Sequence, residues 1–190
     1  MGMRTKNQRR SASGFTMVEL LVVLAIIGVL MALATPSMSR FVAEWRVKDA
    51  ANALIGQLRL ARIEAIRTSR PVVLCPAASS GTACAANSVT EWKDGWLLFV
   101  DSNNDGAYTT AGGDTLVKQQ GAFSGIDTVL KNTTGAVVFW PSGIMKLSAS
   151  TSRFAIGSSL QDSGQSVVKN YYCVGSTGRV RKLPAGSTTC

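Results

Sequence analysis

The stretch Thr177-Gly178-Arg179-Val180-Arg181-Lys182 holds the residue types best suited to gripping phosphate. Guanidinium forks match the paired oxygens of a phosphate group. In an extended strand, residues two apart share a face, so Arg179 and Arg181 point the same way. Gly178 lets the backbone turn sharply before them. Residues 163–190 carry Lys169, Arg179, Arg181 and Lys182 and no acid, which leaves the local field uncompensated. The plainer reading of the same residues is a solvated hairpin edge, where cations discourage strand-on-strand pairing.

Other chemistry has less to work with. Asp101-Ser-Asn103-Asn-Asp105-Gly106 begins like a calcium loop, but an EF-hand needs a bidentate carboxylate six residues after that glycine, where Gly112 stands, and the nearest acid is Asp114. A polar loop after a core strand is the favoured reading, and no metal site is expected. The chain has no histidine, so a Ser-His or Cys-His nucleophile is impossible. No phosphate-cradling glycine loop with a lysine is present, and the acids are scattered. A non-enzyme without a cofactor is expected. Trp92 and Trp96 could stack on bases, but core packing is favoured, above all for Trp96 inside an apolar run.

Four cysteines, Cys75, Cys84, Cys173 and Cys190, suit an oxidising compartment and allow three pairings. Cys75–Cys84 and Cys173–Cys190 are favoured because both close short local loops. The second would hold the basic hairpin as a closed projection, with a benefit of roughly 3 kcal/mol on chain-entropy grounds.

A long helix and a set of short strands must position these groups. Phe15 to Ala34 is an almost unbroken apolar run, about long enough to span a bilayer, yet it contains Glu19. A charge in hydrocarbon costs about 2.5–3.5 kcal/mol and needs a reason to be there. After Pro36, Phe41, Trp45, Val47, Ala51, Leu54, Ile55, Leu58, Ala61, Ala65 and Ile66 fall mostly at three- and four-residue steps, and Pro71 stops the pattern. The expectation is one helix from 15 to about 70, bent near Pro36, its second half laid against a domain by a single apolar stripe.

From Pro71 the pattern changes to β-formers separated by Gly, Ser, Asn and Asp. Strands are expected at Val72–Cys75, Trp96–Val100, Thr115–Lys118, Thr128–Leu130, Ala136–Trp140, Ile144–Leu147, Arg153–Ile156 and Val167–Val174, with tight turns at Pro141–Gly143 and Gly175–Gly178. The fold class is α+β: a long helix packed on a mostly antiparallel sheet or sandwich. The 190 residues, less leader and anchor, leave room for one core. Removing Arg4, Lys6, Arg9 and Arg10 from the twenty cations leaves sixteen against eleven acids, a balance of +5 that favours polyanionic partners only weakly. Cations ahead of the apolar run stay cytoplasmic and direct residues after Pro36 outward.

Small residues lie before the run, at Ser11-Ala-Ser-Gly14, and no cleavage site comes after it, which argues against a secretory signal peptide. Gly14-Phe15-Thr-Met-Val-Glu19-Leu-Leu-Val-Val resembles the class III signal of type IV pilins and type II secretion pseudopilins. That resemblance implies cleavage by prepilin peptidase after Gly14, methylation of Phe15, subunit registration through Glu19, and residence in the bacterial inner membrane before assembly with other major and minor pilins. Gly95-Trp-Leu-Leu-Phe-Val-Asp101, Asp105-Gly106 and Val138-Phe-Trp-Pro-Ser-Gly143 resemble the GspH/FimT subfamily. Gly178-Arg179-Val180-Arg181 is similar to the GRxR element of FimT-type minor pilins, which implies non-sequence-specific DNA binding for uptake in natural transformation. The implied organisation is a leader at 1–14, a membrane and filament-core helix at 15–36, an amphipathic helix at 37–70 and a periplasmic β-rich head at 71–190. A GspH-like pseudopilin with a structural role and no DNA binding is the alternative, and a solitary anchored envelope protein is a third.

Overall fold

A computed structural model describes residues 14–190 except Asn87, 147–150, Ser163, 185–186 and Thr188; within its long helix, the side chains of 33–37 are also outside the description. The leader's cations, the bend expected at Pro36 and the end of the strand expected at Leu147 therefore lie outside the described residues. Helix α1 runs from Met17 to Thr68. Thr16 begins it, its Oγ1 accepting the Glu19 N–H at 3.2 Å and so satisfying one of the first turn's unpaired donors. Arg67 sits in the last turn, at the negative end of the helix dipole. Ser69 then takes a left-handed φ of 52°, ahead of Pro71.

The chain divides into two compact units, one ending at Met38 and the other covering Ser39–Cys190. In the first, the side chains from Phe15 to Ala32 are exposed on every side. Among the described residues, no helix is long and apolar enough to cross a membrane.

The second unit carries the core. Strands β1 (Val72–Pro76), β2 (Gly95–Val100), β3 (Thr115–Gly121), β4 (Ile126–Lys131), β5 (Val137–Phe139), β6 (Met145–Lys146) and β7 (Thr151–Ser158) come after the helix. Beyond them lie a short polar ribbon, β8 (Gln161–Asp162) and β9 (Gln165–Ser166), then β10 (Lys169–Gly175) and β11 (Val180–Lys182). The main strands form two antiparallel sheets, ordered β3-β2-β1-β5-β6 and β11-β10-β7-β4. One core joins α1 to both sheets through Leu54, Leu58, Leu74, Leu98, Phe139, Phe154 and Ile156. A smaller cluster, Val73, Cys75, Leu97 and Phe99, fills the far side of β1 and β2, which is why these strands are apolar on both faces.

Two expectations need correction. The helix stripe buries Ala43, Val47, Ala50, Ala51, Leu54, Leu58, Ala61 and Ala65, whereas Phe41, Trp45 and Ile66 are exposed. At 3.6 residues per turn these three lie about 100° or more around the axis from the Val47–Ala65 line, outside a single packed stripe. Phe41 and Trp45 meet each other instead, ring centroids 6.2 Å apart. The strand expected at Val167–Val174 begins at Lys169, because Val167 and Val168 close the β8–β9 ribbon: the Val167 N–H donates to Leu160 O, and Val168 O accepts the Ser158 N–H.

Candidate nucleic-acid interface

The basic hairpin is β10, the turn Ser176–Arg179, and β11, paired Cys173 with Arg181 and Val174 with Val180. Gly178 has φ 72°, and a Cβ built there would stand 2.9 Å from Phe139 Cε1, so the position requires glycine twice over. The turn closes through Gly178 N–H to Gly175 O at 2.8 Å and Gly175 N–H to Arg179 O at 3.0 Å. It is then tied to two other elements. The Met145 N–H donates to Ser176 O at 2.7 Å. From α1, Arg62 Nη1 donates to Thr177 O at 2.8 Å.

Arg179 and Arg181 line one cavity of about 240 Å³, together with Thr151 and Cys173. Both are exposed, and no acid lines the cavity. Lys182 is exposed too, but strand alternation sends it to the opposite face, beside its register partner Tyr172. Cys173 joins Cys190, which brings the Cys190 carbonyl within 3.4 Å of Arg181 Nη2. The other disulfide, Cys75–Cys84, pins the loop after β1.

Sequence reasoning missed Arg153. It pairs with Cys173 across β10, on the side away from Arg181, so the two arginines flank the disulfide at about two strand spacings, roughly 10 Å. Its guanidinium lies 5.5 Å from the centre of the Tyr171 ring. Only the β7–β10 register brings it here, and nothing local in sequence marks it. Sequence reasoning also singled out neither Arg59 nor Arg62. They line a groove of about 640 Å³ with Ile63, Ile66 and the hairpin turn, and Arg179 borders this groove as well as the smaller cavity. No acid lines the groove.

Trp92 and Trp96 are buried in the core and offer no stacking surface. Asp101, Asp105 and Asp114 bring carboxylate oxygens within 4.8 Å of one another. Those oxygens already serve the loop. Asp114 accepts the Ser102 and Thr109 N–H groups at 2.8 and 2.9 Å, Asp101 accepts that of Gly106 at 2.9 Å, and Asp105 that of Ala107 at 2.8 Å. Gly14 and Phe15 precede α1 and are exposed, and Glu19 lies in its first turn.

Comparison with known proteins places these features. Residues 9–35 match the prokaryotic N-terminal methylation motif, a span containing Gly14, Phe15 and Glu19. Pilin-like protein PilA1 of Thermus thermophilus is 39% identical over 95 residues, 50% of this chain and 52% of that protein, so the chain spans about half the length of this curated relative. The fold is similar to the crystal structure of the type IV minor pilin FimU of Pseudomonas aeruginosa, with a TM-score of 0.50 and 15% identity over 80% of this chain and 96% of that one. Residues 50–177 match the family described as type II transport protein GspH, a match that stops one residue short of Gly178. That span exceeds half of the chain and lies downstream of a methylation motif, so the chain belongs to the GspH family, whose members are structural subunits rather than enzymes.

Proposed function

We propose that this protein is a minor pilin, cut after Gly14, methylated at Phe15, anchored in the inner membrane through residues 15–36 and then assembled into or at the tip of a type IV pilus. There the hairpin at Gly178, Arg179, Arg181 and Lys182 binds DNA for uptake in natural transformation. The family and its methylation motif imply leader processing and assembly with other pilins. The exposed apolar surface from Phe15 to Ala32 is what a filament core or a bilayer would cover. Glu19, one turn inside the new N-terminus, is placed to pair with a neighbour's ammonium in that apolar bundle.

One observation carries the DNA reading: Arg179 and Arg181 line a single open cavity with no acidic side chain in its wall. Arg179 and Arg181, the cations on the cavity face, give a log–log salt slope of about −1.8 on duplex DNA, so affinity falls about tenfold between about 50 and 200 mM salt. Nothing here reads base edges, so binding is sequence-independent and gains from several copies in a fibre. The test is a gel shift with the full chain in detergent, wild type against Arg179→Gln/Arg181→Gln. The wild type retards DNA and the variant does so weakly; equal retention by both defeats the reading.

A second reading, a pseudopilin of a type II secretion filament without a nucleic-acid role, is favoured by the description of the matched family. Equal retention would select it. Mass spectrometry of the mature protein checks the processing step shared by both, and an N-terminus other than methylated Phe15 would remove it.

A further inference from the structure

The groove between α1 and the hairpin turn shares Arg179 with the hairpin's own cavity and adds Arg59 and Arg62 from the helix. Arg59 and Arg62 stand three residues apart on the helix, so their side chains are neighbours. Both are exposed, and they face Arg179 across the groove. Among the described residues, Arg59 forms no ion pair, and Arg62 spends one Nη1 proton on the neutral Thr177 carbonyl. The nearby helix acid, Glu64, is occupied by Arg67 at 2.7 Å. The rest of the wall is apolar: Ile63, Ile66 and Val180. Guanidinium groups beside apolar side chains keep less of their hydration, which strengthens their hold on an anion.

Arg179 belongs to both hollows, so it forms the ridge between them. A chain of phosphates that meets Arg181 on one side and crosses Arg179 descends among Arg59 and Arg62 on the other. We propose that this groove is the second half of the nucleic-acid seat, with Arg59 and Arg62 as phosphate contacts that continue the line begun by Arg181 and Arg179. The inference rests on the DNA reading and extends it from a strand edge onto the helix. An extended polyanion is the occupant because the cations line two open hollows that share Arg179, whereas a single acidic side chain would need one pocket.

The test measures fluorescence anisotropy of labelled single-stranded and duplex oligonucleotides with the full chain in detergent, over a salt series. On the duplex each phosphate contact contributes about 0.9 to the slope, equivalent to a threefold to fourfold change in affinity between about 50 and 200 mM salt, and on a single strand about 0.7. Arg59→Gln, which breaks no bond to the turn, flattens the duplex slope by about 0.9 with an unchanged melting temperature; Arg59→Gln/Arg62→Gln flattens it by about 1.8. Arg62→Lys keeps the slope, because the charge remains.

Unchanged slopes in Arg59→Gln and the double variant, alongside a flattened one in Arg179→Gln/Arg181→Gln, overturn the groove and leave the hairpin reading standing. Failure of the wild type to bind either oligonucleotide overturns both. Where Arg62→Gln lowers the melting temperature, Arg59→Gln alone decides. Binding of polyglutamate that weakens in Arg59→Gln, with oligonucleotide binding unaltered, assigns the groove to an acidic protein surface and likewise overturns the proposal.

Discussion

Replacing Gly178 with alanine adds one methyl group where backbone angle and packing both refuse it. An L-residue in the left-handed region, here φ 72°, costs roughly 1–2 kcal/mol. The new Cβ would also stand 2.9 and 3.0 Å from Phe139 Cε1 and Cζ, and Phe139 is fully buried. Forcing that ring aside adds an overpacking cost of roughly 1–3 kcal/mol. Gly178→Ala should therefore destabilise by about 2–5 kcal/mol. Gly106 is the internal control, since its φ is 76° and nothing lies within 4 Å of its built Cβ. Gly106→Ala should cost the backbone contribution alone, about 1–2 kcal/mol. At roughly 2–4 °C per kcal/mol for a chain of this size, the thermal midpoint falls by about 4 °C or more in Gly178→Ala and by about 2–8 °C in Gly106→Ala. Near-ultraviolet circular dichroism, dominated by the buried tryptophans, tracks both transitions. Equal shifts in the two variants would refute the claim that the hairpin tip is packed on Phe139.

Three further outcomes are expected. Cys173→Ala/Cys190→Ala lowers stability by roughly 3 kcal/mol in denaturant titrations, and the loss equals that of the wild type under reduction at this bridge. Gln57 is buried with neither amide atom bonded, so Gln57→Leu raises the unfolding free energy by about 1–3 kcal/mol in the same titrations; a decrease would mean the amide has a partner. Burial lowers the Lys131 pKa from 10.5 to about 8, although its ammonium donates to the Thr133, Thr134 and Gly135 carbonyls. A lowered lysine pKa means the unfolded chain binds the proton more tightly. Stability should then rise with pH across that window, and Lys131→Met should remove this part of the rise.

Local signals made the outline legible. Pro71 and the three- and four-residue steps before it marked the end and course of α1, and runs of β-formers between small polar residues located most strands. The division into two sheets was not legible, because it depends on β5 pairing with β1 while β4 pairs with β7, and nothing near those strands states a partner. The small β8–β9 ribbon, Gln161–Asp162 with Gln165–Ser166, lacks an apolar residue to announce it. Phe41 and Trp45 misled because hydrophobicity marks a face to be covered without saying which neighbour covers it. At the candidate site, Gly178, Arg179 and Arg181 stood out through spacing, whereas Arg153, Arg59 and Arg62 arrive from 26 to 120 positions away in the chain and needed the tertiary register.

The ties on Ser176–Arg179 bear on thermodynamics as much as on shape. Immobilising backbone costs roughly 1–2 kcal/mol of entropy per residue, and folding has already met that cost for this turn. A polymer bound as proposed would meet a backbone already ordered beneath Arg179, leaving only side-chain ordering to oppose association. Encounter rate should be governed by long-range attraction, with no slow adjustment step after contact. Copies repeated along a fibre would act as stiff, equally oriented teeth, and the strength of capture would grow with how many a strand touches at once.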